Sequence, residues 1–178
     1  MGPQTWKSLL LVWSGLMMSC TTTGLSTVGT STSTFTLADK QFVAQAASSS
    51  MLEVRASEIA LERAANLQVR ELAKRIRHHH LNSKAELWAL ATQNRAAVPT
   101  AMTAEHKALV NQIARLNAPQ FDKAYVQQME VVYEQDVKLY RALVNTSPSV
   151  PLRSFALKTI PVLQGHLKMA TQLKNILP

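Results

Sequence analysis

Glu53, His80 and His166 are the polar side chains that helical spacing sends toward an apolar interior. Val69, Ala73, Ile76, His80, Ser83, Leu87 and Leu90 recur at steps of three and four, so His80 sits on the buried stripe of its helix. Leu152, Ala156, Thr159, Leu163, His166, Ala170 and Leu173 repeat the pattern and place His166 in the same way. Phe42, Ala46, Ser49, Glu53, Ala56 and Ala60 form a small-residue stripe with Glu53 at its middle. One carboxylate and two imidazoles facing one interior suit a single divalent ion such as iron, zinc or manganese. They can equally satisfy one another, since an imidazole N–H donates to a carboxylate and buried polar groups need partners. The self-satisfied cluster, with no cofactor, is the simpler reading, and a single divalent metal ion is the alternative.

The carboxylate-bridged diiron pattern needs Glu-x-x-His on two helices. Arg77 stands three residues before His80 and Leu163 three before His166, so that pattern is missing. In the run His78-His79-His80, successive residues point about 100° apart on a helix, so the three are not expected to chelate one ion. His78 and His79 are expected on the solvent side beside Arg75 and Arg77. No glycine-rich phosphate loop, Gly-x-Ser-x-Gly, His-Glu-x-x-His or second cysteine occurs, so no catalytic residue is assigned and an enzyme is not expected.

Cys20 offers chemistry of another kind. Lys7 precedes the apolar run Leu9-Leu10-Leu11-Val12-Trp13, which resumes at Leu16-Met17-Met18 and ends in Ser19-Cys20. The run is too short to span a bilayer, which takes about 20 apolar residues, and has the proportions of a secretion signal. A small residue before the chain's single cysteine resembles a lipobox. Residues 1–19 are therefore expected to be a lipoprotein signal peptide and Cys20 the lipidated first residue of the mature chain. By resemblance to known lipoprotein sorting, Thr21 after it, where an aspartate would favour the inner membrane, implies the outer membrane, facing the periplasm. An ordinary cleaved signal would give a soluble periplasmic protein.

These residues must be carried by helices. The segment 20–37 is rich in Thr and Ser, uncharged and without a helical period, and reads as a tether. From residue 38 to 178 one glycine remains and Ala, Leu, Gln, Lys, Arg and Glu dominate, which makes the domain all-α. Long helices are expected over 38–64, 66–95 and 119–144, and from the 145–151 connection to about 176, with a shorter one near 103–117. Thr36 with Asp39 approximates a capping box, and Pro161 is expected to kink the last helix. Four long helices with short links make an antiparallel four-helix bundle the economical fold, with the short extra helix between helices two and three as a crossover.

The stretch from Asp39 to Leu87, the pair Val98-Pro99, FDKAY at 121–125 and SFALKTIPVLQGHLKMATQL at 154–173 resemble a bacterial family of ferritin-like domains of unknown function, usually labelled exported or outer-membrane proteins. The resemblance spans about residues 39–175 and implies a ferritin-like bundle. It matches Glu53-Val54, His80 and His166 to the family's polar positions. It also implies two departures: His79 stands where the family carries an aspartate, and Tyr133 where it carries a histidine.

Lys and Arg outnumber Asp and Glu, with a formal net charge of +8. Arg70, Lys74, Arg75 and Arg77 concentrate this on one helix, where anionic headgroups, an envelope protein or a cell-wall polymer would meet it. Nucleic acid is not a sensible partner for an exported chain. The function expected is a non-enzymatic binding or structural role in the envelope, attached to membrane through the lipid. The alternative is a metal-binding or redox protein using Glu53, His80 and His166.

Overall fold

The computed structural model describes residues 34–177. The signal segment, Cys20 and the tether through residue 33 lie outside them. Five helices and no strands occur among the described residues: α1 (Leu37–Arg63), α2 (Leu67–Gln93), α3 (Ala104–Ile113), α4 (Gln120–Thr146) and α5 (Val150–Ile176). The domain is all-α. Among the described residues no helix is long and apolar enough to cross a membrane.

The helix starts follow local chemistry. Thr36 accepts from the Asp39 backbone N–H at 3.1 Å, and the Asp39 carboxylate accepts from the Thr36 N–H at 2.8 Å, so the capping box is complete. Phe35, counted with the tether from sequence, is buried against the core. Asn66, Thr103 and Ser149 cap α2, α3 and α5 through their side chains. Pro161 lies inside α5, which continues unbroken to Ile176.

α1, α2, α4 and α5 are each 27 residues long. α1 packs on α2 and α4, and α5 packs on α4 and α2, so the four enclose one core. The tight turn at 64–66 sends α2 back along α1. At that same end Asp122, in the first turn of α4, accepts from the backbone N–H groups of Ala65 at 3.2 Å and Asn66 at 2.7 Å. α4 therefore starts beside the α1–α2 turn and runs parallel to α2. The stretch 94–119, with α3 inside it, returns the chain along α1 to reach that start. Ser48 on α1 fastens it, accepting from the Thr103 N–H at 2.9 Å and bonding His106 Nδ1 at 2.8 Å.

The core is layered along the helix axes. Phe42 meets Tyr140 edge-on with ring centroids 4.9 Å apart, and Tyr140 packs on Phe155. At the far end Phe121 stacks on Tyr125, whose hydroxyl pairs with Ser57 at 3.0 Å. Between these layers lies a belt of buried polar side chains.

Asp122 is the point where two chain-distant turns are fastened, and it is buried. Asp122→Ala should cost about 2–3 kcal/mol by leaving two backbone donors without an anionic acceptor. Thr36→Ala, which loses one exposed-end cap, should cost about 1 kcal/mol. Urea unfolding of both variants checks the order, and equal losses would remove Asp122 from this role.

Candidate functional site

All four long helices contribute to the polar belt: Ser49 and Glu53 from α1, His79 and His80 from α2, Tyr133 and Asp136 from α4, and His166 from α5. Each helix has one buried stripe, and the belt is where those stripes reach the same height. Glu53 is fully buried, and its Oε2 lies 2.9 Å from His80 Nδ1. The Asp136 carboxyl and the Tyr133 hydroxyl also approach the Glu53 carboxyl. Ser49 Oγ reaches both oxygens of Asp136, at 2.8 and 3.0 Å. The Tyr133 hydroxyl is 3.5 Å from His80 Nε2, at the limit of a hydrogen bond.

Three imidazoles gather at one edge of this belt, where α2 meets α5. Ring centroids are 5.1 Å apart for His79 and His80, 5.5 Å for His79 and His166, and 6.2 Å for His80 and His166. One ligand nitrogen from each lies within 4.8 Å of the other two. His79 Nδ1 and His166 Nε2 are buried without a hydrogen-bond partner. A buried polar atom left in that condition costs about 1–3 kcal/mol, and here two such ring nitrogens belong to one belt.

Burial sets the protonation states. It pushes the Glu53 carboxyl up to about 8, with the neighbouring Asp136 carboxyl and Tyr133 hydroxyl pulling it part of the way back. Burial also raises Asp136 well above the usual carboxylate range, and the charge of Glu53 adds to this. His79 and His80 are each pushed down to about 4, first by burial; the charges of His80 and His78 lower His79 further, while Asp136 partly offsets the effect on His80. His166 falls to about 3, by burial and then by His80, His79 and Arg75. At neutral pH the Glu53–His80 contact is thus one between neutral groups, and the imidazoles keep free lone pairs.

The structure brings Glu53, His80 and His166 together. It corrects the placement of His79, which is half-buried at the edge of the belt with its rings' neighbours His80 and His166, not turned to solvent. α2 has a wide enough buried face to hold two adjacent residues at its margin. His78 stays outside, where Asn82 Nδ2 contacts its Nε2 at 3.0 Å. Asp136 escaped the sequence reading, although it continues the series Met129, Tyr133, Asp136, Tyr140 at steps of four, three and four. In the basic stretch on α2, Arg70 Nε donates to the Ala64 carbonyl at 2.6 Å, and Arg75 pairs with Glu71 at 2.9 Å on the exposed face.

Roomier surface depressions lie elsewhere. One of about 310 Å³ is bordered by Asn66, Asp122 and Leu177, and one of about 220 Å³ by Gln68, Glu71, Met169 and Leu173. Neither gathers several ligand atoms on one point. His80 also floors a shallow groove of about 120 Å³ between α1 and α2, beside Met51, Leu81 and Trp88.

The decisive comparison is with protein families. Residues 25–173 match the family described as "Domain of unknown function (DUF4142)". The chain belongs to the DUF4142 family. No curated protein matches it. Among solved structures, the crystal structure of a DUF305 fragment from Deinococcus radiodurans is similar, with a TM-score of 0.69 and 17% sequence identity, covering 80% of this chain and 99% of that one. At that identity the likeness concerns the fold. The DUF4142 chain and the DUF305 fragment thus share a helical architecture, and function has to be argued from the belt itself.

The belt gives the metal-free protein a two-sided pH dependence. His80 and His166 have depressed pKa values, so their contribution is full above the unfolded value of 6.5 and lost as pH falls through about 4 and 3. Glu53 has a raised value, so its contribution is full below 4.5 and lost as pH rises through about 8. Thermal unfolding followed by circular dichroism should show greatest stability near pH 6.5, with a decline on either side. Glu53→Gln should flatten the alkaline limb. A wild-type protein equally stable from pH 6.5 to 8 would contradict the buried-carboxyl account.

Proposed function

We propose that this DUF4142 chain is an envelope-anchored lipoprotein whose helical domain is a ferritin-like antiparallel bundle with a binding, non-enzymatic role on the periplasmic side of the outer membrane. Support for the anchor comes from the apolar run ending in Ser19-Cys20 and from the Thr- and Ser-rich stretch after it. Support for the bundle type comes from four equal helices, a long connection carrying α3, and the likeness to the DUF305 fragment. The observation that carries a binding role is the pair of unpartnered buried ring nitrogens, His79 Nδ1 and His166 Nε2, brought beside His80 in one belt. A core that only needed filling would satisfy such groups or replace them with apolar ones.

A metal-binding role for this belt, which gathers Glu53, His80 and His166, is favoured over docking of a polymer on α2. Arg70 and Arg75 are already engaged within the domain, whereas the belt holds neutral imidazoles beside carboxyls that a cation would let ionise.

Two measurements test the proposal. Cys20→Ala should move the protein from the membrane to the soluble fraction and abolish acyl labelling; unchanged partitioning would remove the anchor and leave a soluble periplasmic protein. Metal-stripped protein should unfold at higher temperature with Zn(II), Co(II), Mn(II) or Fe(II), and an ion at 100 times its dissociation constant adds about 2.7 kcal/mol. No shift with any of the four would end the metal-binding role.

A further inference from the structure

We infer that His79, His80 and His166 form a mononuclear site for a divalent cation of the zinc class, bound through three ring nitrogens, with Glu53 positioning His80 from behind and not itself binding the ion. This rests on the reading of the belt as a binding centre, and goes beyond it in naming the ligands and the kind of cation.

The three ligand nitrogens lie within 4.8 Å of one another. A tetrahedral site with metal–nitrogen bonds of about 2.0–2.1 Å places neighbouring ligands about 3.4 Å apart, so ring rotations of about an ångström close it. The free atoms are the ones such a site needs. His79 Nδ1 and His166 Nε2 are buried and unpartnered. His80 turns its Nδ1 toward Glu53 Oε2 at 2.9 Å, which leaves for the ion Nε2, where the Tyr133 hydroxyl stands 3.5 Å away at the limit of a hydrogen bond. A carboxylate behind an imidazole fixes its tautomer and orientation in metal sites. Reach resolves the apparent obstacle of adjacent histidines on one helix: their directions differ by about 100°, but His79 uses its near nitrogen and His80 its far one. His166 from α5 supplies the third corner.

The donor set also selects the ion. Three imidazoles favour late first-row divalent cations over magnesium, calcium or manganese, which prefer oxygen. A dinuclear carboxylate-bridged centre needs more glutamates than Glu53 and lacks both Glu-x-x-His motifs.

The test is a Co(II) titration of the full chain in detergent, read by visible absorption and by competition with a chromophoric chelator. Wild-type protein should bind one equivalent with the intense absorption of a tetrahedral ion. His79→Ala and His79→Asn should each weaken binding at least about tenfold and change the spectrum, with folding checked by circular dichroism. Glu53→Gln should weaken binding about 10–100-fold while keeping the spectrum, as expected of a group behind a ligand. If both His79 variants bind like wild type, His79 is no ligand and the inference falls, while a binding centre at the belt survives. If Glu53→Gln folds but changes the spectrum, Glu53 is a ligand and the inference also falls. If wild-type protein binds none of Co(II), Zn(II) or Ni(II), the inference and the metal-binding role fall together.

Discussion

Two carboxyl groups, Glu53 and Asp136, are buried side by side inside the helical core, and the cost of holding charge away from water is the constraint around which the rest is arranged. Glu53 and Asp136 cannot both ionise there without compensation. Ser49 gives Asp136 one hydroxyl, and the Tyr133 hydroxyl and His80 ring stand close to Glu53. Burial outweighs these contacts, which is why both carboxyls titrate above their ordinary range. The imidazoles respond in the opposite sense, because burial disfavours their charged form. The belt thus stores unionised acids and neutral bases side by side, a state that a single bound cation would reorganise.

Holding such a belt together takes a rigid frame on both sides of it. Phe42, Tyr140 and Phe155 close one end of the core and Phe121, Tyr125 and the aliphatic residues around Leu72 close the other. Four helices of equal length bring their middles to the same height. The Asp122 contacts to the α1–α2 turn set the register of α4 against α1, and that register decides whether Asp136 meets Glu53. A shift of one turn, about 5.4 Å, would separate them. The polar centre and the loop fastening are therefore one problem in mechanics.

Location and chemistry also fit one another in the proposed reading. A tethered domain on the periplasmic side samples the solute near a membrane, and a centre at the α2–α5 seam needs no large cleft to exchange a small ion with it. The surface depressions at the ends of the bundle would suit larger ligands but offer no convergent donors.

Much of this was legible in the sequence. The all-α fold, the helix starts at Thr36 and Thr103, and the inward positions of Glu53, His80 and His166 follow from local capping and from the 3.6-residue period, which act within one helix. Asp136 lay on a readable stripe, but a lone aspartate among tyrosines gives no sign of which distant residue it will face. His79 was misplaced because periodicity assigns a face and not the width of the interface, and α5 packs far enough round α2 to cover it in part. Sequence determined which side chains turn inward; tertiary structure decided which of them meet, because helix register and interface width depend on contacts between residues far apart in the chain.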